Sequence, residues 1–257
     1  MLGVVGGNGK TGRAVIAATP TARAIGRNDF ADLTAAFSGL SAIYVIAPNM
    51  HPDEPAFVER VLDAAKQVGI NRIGYHSVAA PYVPEMPHHL GKAESERLIR
   101  TSGLDWTILQ PGPYIQNFLP QLKSENPEIA VPYNPKKEYG LVDLMDVGEV
   151  VARTFAGDSF IGATLELGGP ELINIGQLAE IAVGALGQKV PVRQISPADW
   201  AQGPGAGLES HERDWLLAMF AYYDAHGLPV SSVATRAVLG REPKSVAQVF
   251  AGELGKN

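Results

Sequence analysis

Glycines at positions 6, 9 and 12 stand between the apolar run Leu2-Gly3-Val4-Val5 and the helical pattern Arg13-Ala14-Val15-Ile16-Ala17-Ala18. A strand running through spaced glycines into a helix is the arrangement that receives a dinucleotide pyrophosphate. Glycine permits the tight turn, lets backbone approach phosphate and lets the helix pack on its strand. The helix N-terminus adds free N–H groups and a partial positive charge. Gly6, Asn8, Gly9, Lys10, Thr11 and Gly12 are therefore read as cofactor-binding, against the alternative of a purely structural turn. Two readings stand for Lys10: a second positive charge on the phosphates, or a solvated side chain. Arg27 follows the second apolar run, where an NAD enzyme would place an acidic residue on the ribose 2′-hydroxyl. A guanidinium there suits a 2′-phosphate by charge and bidentate geometry. NADP(H) is the expected cofactor, with NAD(H) second. The alternative is a surface arginine, with Asp29 close by.

Other chemistries are excluded by what the chain lacks. It has no cysteine, so disulfides, thiolate catalysis and cysteine metal sites fall together. The six histidines, at 51, 76, 88, 89, 211 and 226, show no metal-ligand spacing, and no metal is expected. Gly-x-Ser-x-Gly is absent, which argues against a serine hydrolase. Asp143 and Asp146 read as backbone partners or helix caps, and Glu149 as solvated helix surface. A net charge of −6 without a basic run gives no nucleic-acid footprint, the Lys136-Lys137 pair reading as a solvated loop. No apolar run approaches the roughly 18 residues of a membrane span, and the first strand begins too early for a signal peptide. A cytoplasmic protein with a small-molecule substrate is expected, either monomer or homodimer.

The elements that must position these residues alternate along the first half. Apolar runs at Leu2-Val5, Ala22-Ile25, Ala42-Ile46, Arg72-Tyr75 and Trp106-Leu109 read as strands. Between the third and fourth, Phe57, Val61, Ala64, Ala65 and Val68 form one helix face closed by Gly69. Ala93 to Arg100 reads as a charged amphipathic helix. Such alternation implies a parallel sheet with right-handed crossovers, and ligands beyond the carboxyl ends of its strands. Those ends are Gly6–Gly12, Arg27, Ala47-Pro48-Asn49, His76-Ser77 and Pro111–Tyr114. The second half reads as a polar, Pro-rich loop or hairpin at Ser124–Tyr139 and a helix at Asp146–Phe155. A strand at Thr164–Leu167 and a helix at Ile175–Leu186 follow. Val190–Ile195 then reads as a strand, Gln202–Gly207 as a flexible stretch, and Asp214–Ala225 as an aromatic-rich helix. Phe220, Tyr222, Tyr223, Trp200 and Trp215 read mainly as core, with one or two available to cover a flat substrate.

Several motifs recur in the order of one family. After the glycine loop and Arg27 come Gly69-Ile70-Asn71-Arg72-Ile73-Gly74-Tyr75-His76-Ser77 and Lys92-Ala93-Glu94-Ser95-Glu96. Ser102-Gly103-Leu104-Asp105-Trp106-Thr107-Ile108-Leu109-Gln110-Pro111-Gly112, Asn117-Phe118-Leu119, Val142-Asp143-Leu144-Met145-Asp146-Val147 and Gly168-Gly169-Pro170-Glu171 follow. The chain resembles the NmrA-like branch of the atypical short-chain dehydrogenase/reductases over nearly its full length. That resemblance implies an α/β, Rossmann-type doubly wound parallel sheet with a smaller α+β C-terminal substrate lobe. The dinucleotide domain would take residues 1–120 and about 140–170, and the lobe 121–139 and 171–257. The branch holds quinone, dye and isoflavone-type reductases beside catalytically silent redox sensors.

Two departures from the pattern stand out. Arg27 runs almost directly into Asp29-Phe30-Ala31-Asp32-Leu33, so one βα unit is missing or reduced on the adenine side. The Tyr-x-x-x-Lys of short-chain dehydrogenases is replaced by His88-x-x-x-Lys92. The resemblance makes Lys92 the group that binds the nicotinamide ribose, with Ala47, Pro48, Ser77 and Pro111 also around the cofactor. His88 and Tyr114 are the candidate proton donors beside Lys92, each with a structural alternative, and water is the third source of the proton. Met50, Tyr114, Phe118 and Trp200 are the candidate substrate lining. The function expected is NADPH-dependent hydride transfer to a small hydrophobic, aromatic or quinone-like acceptor. The alternatives are a non-catalytic NADP(H)-binding sensor and an epimerase or tailoring enzyme of the same fold.

Overall fold

In the computed structural model, which describes residues 1–255, β1 (Leu2–Val5) is buried along its whole length and pairs in parallel with a strand on either side. The central sheet also contains β2 (Arg23–Ile25), β3 (Ala42–Val45), β4 (Arg72–His76), β5 (Asp105–Pro111) and β7 (Ala163–Leu167). Their order is β2-β1-β3-β4-β5-β7, with every pairing parallel. Strands covered on both faces read as unbroken apolar runs, as β1 and β3 do. The chain leaves β1 toward β2 on one side and continues toward β4 on the other. That reversal falls at the carboxyl ends of β1 and β3, where the glycine loop and Ala47-Pro48 follow, the place where such folds bind ligands.

Helices cover both faces, as a doubly wound sheet requires. On one face α1 (Lys10–Ala18) and α6 (Leu144–Thr154) close a core of Val4, Val15, Tyr44, Leu109, Val147 and Val151. On the other, α2 (Leu33–Phe37), α3 (Glu54–Gln67) and α4 (Pro87–Arg100) enclose Phe37, Phe57, Val61, Ile73, Tyr75 and Ile99. Asp53 caps α3 by accepting the Ala56 N–H at 3.0 Å, and Gly69 ends it at φ +76°. Helix α4 starts six residues before the expected Ala93, with Pro87 in its first turn.

Between β2 and β3 there is only a 3-10 turn at Arg27–Ala31 and the five-residue α2, so the expected reduction of one βα unit is present. It leaves β2 as an edge strand. Arg23 closes that edge by donating to the carbonyls of Ala36 and Ser38.

A third core gathers Ile115, Phe118, Leu122, Tyr133, Tyr139, Leu178, Tyr223 and Phe250. It is built by α5 (Leu119–Leu122), α7 (Ile175–Leu186), α9 (Ser210–His226) and α11 (Val246–Leu254), with α8 (Pro197–Gln202) beside them. The segment expected as a loop or hairpin at Ser124–Tyr139 instead contributes β6 (Ile129–Val131), paired in parallel with β8 (Val192–Gln194). A hairpin would make that pair antiparallel; burial of Ile129 and Val131 in this core selects the distant partner. Helix α10 (Val233–Leu239) returns to the sheet and places Val238 and Leu239 in the core with α6.

Helices α1 and α6 touch backbone to backbone, because a Cβ at Gly148 would lie 2.5 Å from the Ala14 carbonyl oxygen. Gly148→Val should therefore force α6 off α1 and cost about 1–3 kcal/mol, read as a lower urea midpoint at unchanged m-value.

Candidate active site

The three spaced glycines of the loop do three different jobs. Gly6 adopts φ +76°, and a Cβ there would strike the Ile46 carbonyl oxygen at 2.4 Å. Gly12 packs α1 onto the loop, since a Cβ would lie 2.3 Å from the Gly6 oxygen. Gly9 is extended at φ −75°, and a Cβ would meet only the Gly6 oxygen, at 3.3 Å. A side chain at 9 therefore asks the Gly6 carbonyl to give only slightly, and the space beyond it is open. Gly9 also stands at the N-cap of α1 without any side-chain cap, so the first helical N–H groups face that space uncapped. An open cradle over uncapped N–H groups fits a pyrophosphate.

The flanking residues frame the cradle. Asn8 lies against Gly26 at the end of β2, and its carbonyl accepts from Arg13 Nη1 at 2.7 Å. Lys10 crosses to donate to Asn117 Oδ1 at 3.0 Å and lies 5.9 Å from the centre of the Tyr114 ring. Its partial burial lowers its pKa from the ordinary lysine value. A cleft of about 490 Å³ opens beside it, bordered by Arg13, Gln116, Lys123 and Met145. Arg27 is exposed at the start of the turn after β2. Asp29 does not claim it, because its carboxylate turns back to accept the Gly26 N–H at 2.7 Å.

Beneath the ends of β4 and β5 lies a buried polar layer that the motifs alone do not reveal. Glu96, wholly buried, accepts Ser77 Oγ at 2.6 Å and Gln110 Nε2 at 2.7 Å on one oxygen. The other oxygen takes Tyr82 at 3.2 Å and Arg100 at 3.3 Å. Ser77 is thus held by a carboxylate. Lys92 is 7% exposed and donates to Glu54 Oε1 at 2.8 Å and to the His76 carbonyl at 3.2 Å. Tyr75 donates to the same Glu54 oxygen at 2.5 Å, while Glu54 Oε2 is buried without a partner.

The face of β4 toward α1 carries a second array. His76 Nδ1 lies 2.7 Å from the Tyr44 hydroxyl and its Nε2 2.6 Å from the Tyr114 hydroxyl. Gly74, two residues earlier on that face, leaves room for Tyr44, since a Cβ would sit 2.6 Å from its ring. Burial pushes the His76 pKa down to about 3, helped by the Lys92 charge. Burial raises the pKa of Tyr114, only partly opposed by the neighbouring Thr11 hydroxyl. Tyr114, half-buried past the end of β5, therefore joins the glycine loop to the sheet interior.

The remaining sequence candidates disperse. His88 stacks on Trp215 at 6.0 Å between ring centres, beside a pocket of about 250 Å³ shared with His51, Glu54 and Gly91. Burial lowers its pKa to about 3, so it is neutral near pH 7 and poorly suited to act as an acid. Ala47 is buried and Pro48 half-buried beyond β3, and Pro111 is the last residue of β5. Met50 is buried at φ +50°, its carbonyl 3.1 Å from His211 Nε2. Phe118 lies in the third core, and Trp200 packs edge-on against Phe220 at 4.8 Å. Asp146 accepts the Lys244 N–H and Arg241, whereas Asp143, at the N-cap of α6, takes Gln116 Nε2 instead of capping the helix. Glu149 pairs with Arg153 and Arg241 rather than standing free in solvent. Among the described residues no acidic and histidine group could hold a metal ion.

His76 and His89 are both buried, with pKa values lowered to about 3 and about 4 chiefly by burial. Above the ordinary histidine value of about 6.5 they are neutral in both folded and unfolded chains and contribute nothing to pH dependence. Below it the unfolded chain takes up protons that the folded one refuses, so stability should drop between about pH 6.5 and pH 4. Urea midpoints across that window check this, and His89→Gln should flatten the slope.

With this geometry in hand, comparison with known proteins is specific. Residues 21–238 match the NmrA-like family. Quinone oxidoreductase 2 of Escherichia coli is 25% identical over 232 residues, 89% of this chain and 80% of its own. The NADPH complex of that quinone oxidoreductase superposes with a TM-score of 0.84 at 22% identity, covering 98% of this chain and 99% of the other. An NAD(P)H azoreductase of Xenophilus azovorans is 26% identical over 168 residues, 64% of this chain and 57% of its own. NmrA, a negative transcriptional regulator solved with NADP, superposes with a TM-score of 0.78 at 19% identity, covering 98% of this chain and 94% of the other. The structural likenesses establish the fold, and the match across residues 21–238 settles the lineage: this chain belongs to the NmrA-like family.

Proposed function

We propose that this protein is an NADPH-dependent reductase of small hydrophobic acceptors, aromatic or quinone-like. The observation that carries the reading is the open cradle at Gly9 over the uncapped start of α1, with Arg27 free at the end of β2. Relatives named for NAD(P)H-dependent reduction of azo compounds and for quinone oxidoreduction support it.

The residues divide the work by chemistry. Gly6–Gly12 would hold the pyrophosphate with backbone N–H groups and the α1 dipole, and Lys10 adds charge beside them. Arg27 would meet the 2′-phosphate, and Ala47 and Pro48 line the crevice where the strand order reverses. Bound NADPH supplies the hydride. Lys92, at the family's lysine position, would reach a ribose hydroxyl by exchanging one of its two present acceptors. Tyr114 is the group placed to donate a proton, since its hydroxyl sits between the loop and the interior while His88 is turned to Trp215.

The second reading is an NADP(H)-binding regulator without turnover. It is favoured by the engagement of Lys92 with Glu54 and by the lack of a tyrosine at the position of His88. NADPH oxidation measured at 340 nm against a panel of quinones, enones and azo dyes separates the two: the reductase turns over at least one class, whereas a silent panel with NADPH bound favours the regulator.

Gly9→Val should abolish NADPH binding in calorimetry while thermal unfolding stays close to wild type, because the side chain enters ligand space rather than protein. Unchanged affinity in the folded variant would reduce the loop to a structural turn. Arg27→Ala should weaken NADPH by roughly 1.5–3 kcal/mol, the value of a charge-assisted contact, and leave NADH nearly unchanged. Equal losses for both cofactors would remove the basis for the NADP assignment.

A further inference from the structure

We propose that Tyr44, His76 and Tyr114 form a hydrogen-bond chain of fixed polarity, in which His76 is the positioning residue that leaves the Tyr114 proton directed outward as the proton donor of the reduction. The inference rests on the reductase reading and adds the machinery of its proton step.

The polarity follows from accounting for protons. Tyr44 is fully buried, and among the described residues its hydroxyl has one partner, His76 Nδ1 at 2.7 Å. If Nδ1 carried the ring proton, the Tyr44 O–H would be left a buried donor with no acceptor, an arrangement folded proteins avoid. Tyr44 therefore donates to Nδ1. His76, neutral in its buried site, then holds its single ring proton on Nε2 and donates it to the Tyr114 oxygen 2.6 Å away. The imidazole is locked by both neighbours, and Tyr114 receives a hydrogen bond from behind. Its own proton is free to point away from His76, toward the side where Thr11 and Lys10 lie.

This arrangement suits a donor better than a lone tyrosine. When the Tyr114 O–H bond breaks, the proton passes to the oxygen or nitrogen of the acceptor that is reduced by hydride from the reduced nicotinamide. The phenolate left behind keeps the His76 N–H as its hydrogen bond, in a site where burial otherwise disfavours the anion. Solvent water returns the proton as product leaves. A neutral imidazole donates this bond without adding a second cation beside Lys92. Ring geometry reinforces the line: Tyr44 meets His76 edge-on at 81°, and His76 and Tyr114 lie within 28° of parallel.

The test has a spectroscopic and a kinetic arm. In nitrogen-15 NMR of histidine-labelled protein, His76 should appear as a neutral ring protonated at Nε2. Tyr44→Phe, which preserves the packing, should release that preference. A ring protonated at Nδ1 in wild type overturns the chain. With an acceptor found active, Tyr114→Phe should lower kcat by about a hundredfold, within the range of general acid catalysis, at unchanged KM for NADPH. Tyr44→Phe and His76→Leu should each lower kcat less, His76→Gln should recover part of the loss, and none should add to Tyr114→Phe. Losses that persist in the Tyr114→Phe background overturn the chain while leaving the reductase standing. A wild type that binds NADPH and reduces no acceptor overturns the reductase reading and the donor role with it.

Discussion

The Glu96 carboxylate, wholly buried in α4, is the constraint on which the candidate site hangs. An ion taken out of water is tolerated only when its lone pairs are filled, and a lost partner leaves an uncompensated charge. Glu96 fills its two oxygens with donors from Ser77 beyond β4, Gln110 on β5, Tyr82 in the following loop and Arg100 one turn along its own helix. The bonds from Ser77 and Gln110 tie the ends of two neighbouring strands to α4 at one level. His76 precedes Ser77, and Pro111 follows Gln110, so the same knot sets where the strands stop and where their flanking residues emerge. Glu54, one helix away, holds Tyr75 and Lys92 on a single oxygen and leaves the other unpartnered. The sheet beneath the cradle is therefore stiffened by polar bonds at its ligand-facing edge and by apolar packing elsewhere.

Loss of a βα unit after β2 changes what the other side of the site must do. In a wider sheet β2 would be an inner strand, with its edge covered by another. Here the chain crosses from β2 to β3 through a 3-10 turn and a five-residue helix, and side-chain donors stand in for the missing ladder. Arg23 serves the carbonyls of Ala36 and Ser38, and Arg60 on α3 donates to the Phe30 carbonyl at 2.7 Å. Phe30 in turn rests on Phe57 at 5.1 Å between ring centres. The turn carrying Arg27 is thus anchored at both ends even though it is short. Asp29 supplies the first anchor by taking the Gly26 N–H, which also removes the carboxylate that would otherwise compete for Arg27.

How much of this was legible in the sequence depended on whether the signal was local. Strands buried on both faces declare themselves as apolar runs, and β1, β3 and β4 were placed within a residue of their ends. Helix α7 was read at its observed limits, Gly187 closing it at φ +67°, and the structure adds a capping box of Asn174 and Gln177 at its start. Strand β6 has three residues and pairs with β8 across a long stretch of chain, so no local period marks it, whereas β8 lies within the stretch Val190–Ile195 read as a strand. Helix α4 hid its start because Pro87-His88-His89-Leu90-Gly91 has no apolar stripe. In the site, the glycine loop was legible since its chemistry is contiguous. Tyr44, His76 and Tyr114 come from three strand ends or interiors, and Glu54 and Glu96 from two helices. The one local hint was a histidine closing an apolar strand, where a buried polar group requires partners.

The substitution of His88 for the tyrosine of the Tyr-x-x-x-Lys pattern gains a physical sense from this arrangement. In that pattern a lysine beside a tyrosine lowers its pKa, which requires the ammonium to stay available to the phenol. Here Glu54 accepts one N–H of Lys92 and the His76 carbonyl another, while the Lys92 charge still lowers the His88 pKa. The residue at position 88 stacks on Trp215 as part of the contact between α4 and α9. In the proposed reaction the donor role passes to a tyrosine past the end of β5, activated from behind by a neutral imidazole instead of from the side by a cation. The Lys92 charge helps keep that imidazole neutral. The two arrangements are thus coupled: moving the lysine's charge inward on Glu54 and placing a histidine on β4 are parts of one electrostatic solution.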